Sequence, residues 1–305
     1  MKPMKDELAQ LMDKRRLNRA YAEMVQTAVA DPAVQDFLQA NADALAPDAV
    51  NRGAAKIYEY VSARDGKLET PMQQAGYTPR LVVSNRLIDI TYEPTAAKQA
   101  QDAMASQKAL VTSLNMPKAI ASAHLADYDP TNRGDALVQA LTFTTELAKA
   151  PQAFHKGLYL TGPFGVGKTF LMGAIANDLA NQGIASTLVH WPTFTVEMKA
   201  AIGDKTVMPK LTAIKKAPVL MIDDIGAESL SPWIRDDVLG IILQYRMQEE
   251  LPTLFTSNKT MRELTDFLAG VEVGNNEGLK AQRIMERIRF LATEVVVGGR
   301  DRRNG

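Results

Sequence analysis

Gly162-Pro163-Phe164-Gly165-Val166-Gly167-Lys168-Thr169, with Phe170 next, sets three glycines beside one lysine and one threonine. Glycine admits backbone angles closed to other residues, so successive N–H groups can turn toward one point as an anion-binding nest. The spacing Gly-x-x-x-x-Gly-Lys-Thr is the phosphate-binding P-loop pattern. A helix opening at this point adds unpaired N–H groups and the positive end of its dipole. In that arrangement the stretch from Gly162 to Phe170 cradles the phosphates of a nucleotide. Lys168 reaches the β- and γ-phosphates, and the Thr169 hydroxyl ligates Mg²⁺.

Three further stretches carry chemistry that a phosphate loop needs. APVLMIDDIG, residues 217–226, is an apolar run ending in Asp223-Asp224. Nucleoside triphosphate hydrolysis requires a carboxylate near Mg²⁺ and a group that orients the attacking water. Asp223 suits the first role, directly or through water, and Asp224 the second, as aspartate where many such ATPases use glutamate. A surface turn would also explain two acids after an apolar run; the place one helix–strand–helix unit after Lys168 ties them to the loop. PTLFTSN, residues 252–258, is another apolar run, and its terminal Asn258 either senses the γ-phosphate or closes a strand. AQRIMERIRFLA, residues 281–292, sets Arg283 and Arg287 four residues apart on one helix face. A guanidinium there either serves a neighbouring subunit's γ-phosphate or belongs to a solvated face.

The elements that must position these groups follow a regular alternation. From Asn132 onward, strands are expected at Gly157–Thr161, Ser186–His190, Val219–Asp223, Thr253–Ser257 and Glu294–Val297, with helices between them. This predicts an α/β domain over 132–305, a five-stranded parallel sheet with helices on both faces. Leu171, Ile175 and Leu179 give Phe170–Asn181 a helical apolar spacing, and Ser231-Pro232 opens a long helix as cap and first residue. Before it, residues 1–105 read as a small, mainly helical domain and 106–131 as a linker. Leu8, Leu11 and Met12 precede a basic cluster, KRRLNR, at 14–19; Asp31-Pro32 starts a short helix, and 47–63 form another. Arg80–Val83 and Leu87–Tyr92, separated by Ser84-Asn85-Arg86, form a candidate β-hairpin. Thr95–Lys108 reads as a connecting helix or linker.

Composition removes several classes. The 305 residues hold 35 Lys+Arg and 35 Asp+Glu, so the chain as a whole lacks the surplus of a nucleic-acid binder and any basic surface is local. One such surplus is the segment from Lys280, where basic residues outnumber acids. With no cysteine and three scattered histidines, disulfides are excluded and zinc is not expected. No apolar run reaches the ~18 residues of a membrane span, and MKPMKDELAQ lacks a signal-peptide core, so a cytoplasmic protein with no membrane partner is expected.

GPFGVGKT, VLMIDDIGAES, FTSN and RIMERIR, in this order, resemble the ATPase domain of bacterial helicase loaders of the DnaI/DnaC type, in the AAA+ superfamily. MPKAIASAHLADYDPTNRGDAL, residues 116–137, resembles the start of that domain in DnaI-type primosomal proteins. The resemblance covers about two thirds of the chain, from near residue 108 onward, whereas the first third is similar in length and helical start alone. IDDIGAE belongs to a branch that includes transposon-encoded ATPases of the IstB kind.

The resemblance implies an ATP- and Mg²⁺-dependent ATPase, weak alone and modulated by single-stranded DNA and by the helicase. Its amino-terminal domain would bind the hexameric replicative helicase, and its ATPase domain would touch single-stranded DNA while the ring is opened or assembled. Self-association in the loading complex and contact with other primosome proteins are further implications. Carried over, Lys168 and Thr169 serve phosphate and Mg²⁺, Asp223 and Asp224 form the acidic motif, and Asn258 is the sensor. Arg287 is the trans-acting finger, with Arg283 as second choice. DnaI-type loaders of bacilli carry a zinc site of cysteines and histidine, which this chain cannot build; hydrophobic packing of the Leu81–Tyr92 hairpin is expected instead. Alternatives are an IstB-like transposition ATPase and a non-catalytic, ATP-switched adaptor. A small-molecule kinase would lack the interposed strand, and a replication initiator would need a helix-turn-helix region, whereas eight residues follow the last expected strand.

Overall fold

The computed structural model describes residues 22–302 except 69, 115, 117 and 271–276, with the side chains of 118 and 119 also left aside. The expectations for Leu8, Leu11, Met12 and the 14–19 basic cluster lie outside the described residues. The chain divides into two compact units, Met1–Met104 and Ala105–Gly305.

The first unit sets helices against one hairpin. Helix α1 (22–29) is followed by α2 (Pro32–Ala40), α3 (Ala49–Arg64) and the single turn α4 (Pro71–Gln74). Asp31 caps α2 by accepting from the Ala33 N–H at 3.0 Å, with Pro32 as first residue. Strands β1 (Tyr77–Ser84) and β2 (Leu87–Pro94) pair antiparallel, so the hairpin is longer at both ends than the apolar runs suggested. Its two-residue turn is Asn85-Arg86, with φ of 51° and 63°, the paired left-handed conformation of a type I′ turn. Leu81 and Ile88 pack with Val34 and Ile57. Gly53 of α3 makes the approach close enough that a Cβ there would lie 2.8 Å from Ile88 Cβ. Thr95–Lys108, read as helix or linker, is helix α5 (Ala96–Ala109).

The second unit is a parallel sheet in the order β3-β5-β6-β7-β4-β8. Strands β4 (Gly157–Thr161), β5 (Ser186–His190), β6 (Val219–Asp223) and β7 (Thr253–Ser257) have the predicted bounds. Strand β8 runs Ala292–Val296, two residues earlier than its predicted start, because helix α12 (Glu277–Leu291) passes into it without a loop. The sheet has six strands rather than five. The sixth, β3 (Val111–Leu114), lies in the segment read as a linker and pairs with β5 at the edge. Four half-exposed residues, VTSL, carry too little apolar alternation to announce a strand.

Alternation along the central strands sends side chains to two separate cores. Leu158 and Leu160 of β4, Met221 of β6 and Leu254 of β7 join the core beneath α6 (Gly134–Lys149) and α7 (Lys168–Asn181). Tyr159, Leu220, Ile222 and Phe255 join the opposite core. That face is covered by α8 (Trp191–Ala200), α9 (Val207–Lys215), α10 (Gly240–Gln248), α11 (Met261–Ala269) and α12. The helix opened by Ser231, whose Oγ accepts from the Ile234 N–H, contains a π-helical turn at Ile234–Leu239 before α10. Because every position of β4, β6 and β7 is buried, polar groups reach the surface only at their ends.

Candidate nucleotide site

The phosphate loop leaves β4 and enters α7, and its backbone shows why glycine is needed. Gly165 and Gly167 have φ of 75° and 95°, left-handed values that strain other residues. A Cβ on Gly165 would overlap the Asp301 carboxylate. Lys168, buried at the first turn of α7, donates from Nζ to the Gly162 and Pro163 carbonyls at 2.8 Å each and to Asn258 Oδ1 at 2.6 Å. Three acceptors from two strand ends therefore fix the amine at the mouth of the loop.

The acidic strand end is two strands away from β4, with β7 between. Asp223 Oδ1 accepts from Thr169 Oγ1 at 2.8 Å and from Thr256 Oγ1 at 2.6 Å. Burial pushes the Asp223 pKa up, and these two hydroxyl hydrogen bonds oppose the rise. Asp224 takes a left-handed φ of 61°, a conformation aspartate tolerates better than most residues. Its N–H donates to Thr256 Oγ1 at 2.9 Å, and its Oδ1 accepts from Asn258 Nδ2 at 3.2 Å. Two chains of hydrogen bonds thus run through the site, Thr169–Asp223–Thr256 and Lys168–Asn258–Asp224. The Thr169 hydroxyl and Asp223 carboxylate offer hard oxygens side by side, a donor pair suited to Mg²⁺. Among the described residues no group of three or more His, Cys, Asp or Glu could hold a metal by itself.

A cleft of about 670 Å³ opens over these groups, and Phe164, Gly165, Gly167, Lys168, Thr169, Phe170, Asp223, Asp224 and Asn258 all line it. Pro163 and Val166 act through their backbones instead, since their carbonyls accept from Lys168 and from Arg133 Nη1 respectively. Arg283 and Arg287 are not brought to this cleft. They line a separate groove on α12, where Arg287 Nη1 donates to the Gly240 carbonyl at 3.0 Å. Burial, helped by the charge of Arg283, lowers the Arg287 pKa.

Sequence reasoning passed over four residues of the cleft and its frame. Thr256 is two residues before Asn258, hence on the same side of β7, and this polar interruption of an apolar run was its signal. His190 ends β5 in register with Asp223 and lines the cleft. Arg302 also lines it, pairs with Asp129 and donates its N–H to the Gly165 carbonyl at 3.1 Å. Arg133 sits 4.0 Å over the Tyr128 ring while bonding the phosphate loop. Only tertiary structure brings the two arginines to the loop.

A phosphate loop after one central strand, an acidic strand end beyond an interposed strand, and an amide closing that interposed strand define a P-loop ATPase-family domain of the AAA+ type. Comparison with known proteins narrows the class. Residues 1–92 match the family described as "Primosomal protein DnaI N-terminus", and residues 96–303 match "IstB-like ATP binding protein". The replicative helicase loader DnaI of Bacillus subtilis (strain 168) is 35% identical across the full length of both chains. A crystal structure of DnaI is 46% identical, with a TM-score of 0.58, over 63% of this chain and 100% of that one. The DnaC helicase loader, at 24% identity and a TM-score of 0.50 over 60% of this chain and 100% of that one, shares the fold. The chain belongs to the DnaI family of replicative helicase loaders. No helix among the described residues is long and apolar enough to cross a membrane.

Proposed function

We propose that the protein is an ATP-dependent loader that places the hexameric replicative helicase on single-stranded DNA during primosome assembly, acting in the cytoplasm. The observation that carries this reading is the joined site. Lys168, Asn258 and Asp224 form one hydrogen-bonded chain, so occupancy at the phosphates is felt at the residue that handles water. Similarity along the whole chain to a replicative helicase loader supports the biological role. An IstB-like transposition ATPase would account for residues 96–303 but not for the DnaI-type first 92 residues.

In this reading the P-loop amides and Lys168 hold the phosphates of ATP, and Thr169 and Asp223 hold Mg²⁺, directly or through water. The ion, when bound, neutralises charge on the β- and γ-oxygens. Asp224 polarises the attacking water, and Asn258 orients both that carboxylate and the γ-phosphate. Arg287, or failing it Arg283, is supplied to the cleft of a neighbouring subunit, so hydrolysis is slow until subunits assemble. Residues 1–105 bind the helicase, and the basic carboxy-terminal segment contributes to DNA contact.

Co-purification with the same organism's replicative helicase, with and without ATP, tests the role. Capture of the helicase by the full chain, and by residues 1–105 without nucleotide, is expected; failure of the full chain to capture it in either condition overturns the loader reading. The trans arginine is tested separately by mixing Arg287→Ala and Lys168→Ala proteins. Mixed assemblies regain ATP turnover if each supplies what the other lacks. No recovery in assemblies shown to contain both proteins removes the trans role.

A further inference from the structure

We propose that Glu228 is a positioning residue for Asp224, its buried carboxylate holding the turn after β6 and, through it, the backbone from which Asp224 meets the cleft. The proposal rests on the reading of Asp224 as the group that handles water, and names what keeps that group in place.

The stretch IDDIGAES, residues 222–229, holds three acids, and the nucleotide site accounts for two of them. The chain leaves β6 through two left-handed residues, Asp224 with φ of 61° and Gly226 with φ of 89°. Glycine takes that conformation freely, whereas at Asp224 it is strain that persists only where the surroundings over-determine it. They do so bond by bond. Asp224 and Ile225 give their N–H groups to Thr256, to Oγ1 at 2.9 Å and to the carbonyl at 3.0 Å. The Ile225 carbonyl accepts from Ser257 Oγ at 2.6 Å. The Ala227 N–H closes the turn on the Asp224 carbonyl at 3.3 Å. The remaining donor, the buried N–H of Gly226, goes to Glu228 Oε2 at 2.7 Å. Strand β7 therefore fixes one side of the turn, and Glu228 supplies the shorter of the two bonds on the other. Without it, the long Ala227 bond is left to hold the Asp224 peptide in its left-handed turn.

The chemistry of the position favours a role beyond packing. Glu228 is 5% exposed and does not line the cleft, so it acts through the turn rather than on phosphate or water. Burial pushes its pKa up, the N–H groups of Glu228 itself and of Gly226 oppose the rise, and the charge of Asp224 adds to it. An apolar side chain would fill the same space without that cost. The acid is kept for the acceptor it brings to Gly226.

Full-length Glu228→Asp and Glu228→Gln proteins separate reach from charge, because aspartate keeps the charge one methylene short and glutamine keeps the reach without it. Steady-state ATP turnover is measured with Mg²⁺, with and without the replicative helicase and single-stranded DNA. Affinity for a non-hydrolysable ATP analogue and a thermal melt are read beside it. Misplacing a reacting group by about 1 Å slows the chemical step by up to about a hundredfold, so Glu228→Asp is expected to lose at least about tenfold in kcat. Its analogue affinity and melting temperature should be retained. Glu228→Gln is expected to keep at least about half of the wild-type kcat, since its carbonyl still accepts from Gly226. Wild-type kcat in Glu228→Asp, or an equal loss in both variants, overturns the proposal. So does a loss in Glu228→Asp that comes with a lower melting temperature or weaker analogue binding, which would make the residue structural. Asp224→Asn is assayed in parallel. Its inactivity beside a fully active Glu228→Asp removes this proposal and leaves the reading of Asp224 intact; turnover retained in Asp224→Asn removes both.

Discussion

The two units handle charge in opposite ways. In residues 22–104 the ion pairs lie on the outside: Arg64 bridges Asp31 and Asp65, and Arg80 meets Glu93 across the hairpin. In the second unit, charged and polar side chains are drawn inside. Lys168, Asp223, Thr256 and Arg246 are all buried, and each is hydrogen-bonded. Exposed pairs contribute about 0.2–1 kcal/mol because water competes for both partners. A buried polar group must be satisfied or it costs several times more. Buried polarity therefore marks where the fold is committed to a particular geometry, and in this chain it lies at both edges of the sheet, Lys168, Asp223 and Thr256 around the phosphate loop and Arg246 at the amino-terminal ends of β6 and β7.

The largest expected effect falls on turnover. Lys168→Ala should reduce ATP hydrolysis at least about a hundredfold while leaving a cooperatively folding protein, because its amine bonds loop carbonyls and an amide rather than the core. Steady-state ATPase assays beside a thermal melt check this. A variant that no longer folds would place the lysine among the structural residues.

Next in size is a stability effect with no chemistry in it. Arg246 donates to the carbonyls of Lys215, Ala217 and Pro252 and to Thr253 Oγ1, tying α9, α10 and β7 together. Arg246→Ala leaves these acceptors buried, and about 3–5 kcal/mol of destabilisation is expected. Both tryptophans, Trp191 and Trp233, lie in the second unit, so their fluorescence during urea unfolding reads that unit alone. An unchanged midpoint would show that water satisfies those carbonyls.

This residue also shows why part of the molecule was legible from sequence and part was not. The four central strands could be bounded to the residue because they are short apolar runs closed by Gly162, His190, Asp223 and Asn258. The phosphate loop could be recognised because its chemistry is local. Arg246 falls on the buried stripe of α10, four residues after Ile242, yet a charged residue in a helix reads as solvated unless its acceptors are known. Thr256 and Arg302 acquire their neighbours from strand β6 and from Asp129, distant in the chain. Edge strand β3 is paired on one side alone, so its sequence carries half the usual signal.

A smaller effect, opposite in sign, is expected at the acidic strand end. Burial raises the Asp223 pKa, so the ionised carboxylate costs the folded state stability at neutral pH. Asparagine keeps an acceptor for the Thr169 and Thr256 hydroxyls without that charge. Asp223→Asn should therefore raise the stability of the nucleotide-free protein by about 1 kcal/mol while Mg²⁺-dependent turnover is lost. A lower melting temperature would mean that the carboxylate is structural.

The smallest effect belongs to the first unit. Hydrogen bonding to Arg64 holds the Asp31 carboxyl below its ordinary range, and Asp31 also caps α2. A lowered folded pKa means that the unfolded chain binds the proton more readily, so this stabilisation is complete above about pH 4 and is lost as pH falls through the lowered value. Two substitutions separate the roles. Asp31→Asn keeps a capping oxygen and loses the charge, for about 0.5 kcal/mol; Asp31→Ala loses both, for about 1–2 kcal/mol. Amide hydrogen exchange in α2 reads these differences at pH 7, and the gap between wild type and Asp31→Asn should narrow as pH falls below about 4. A gap as wide well below pH 4 as at pH 7 would show that the charge of the exposed pair does not carry the interaction, and would make this corner of the first unit resemble the buried polarity of the second.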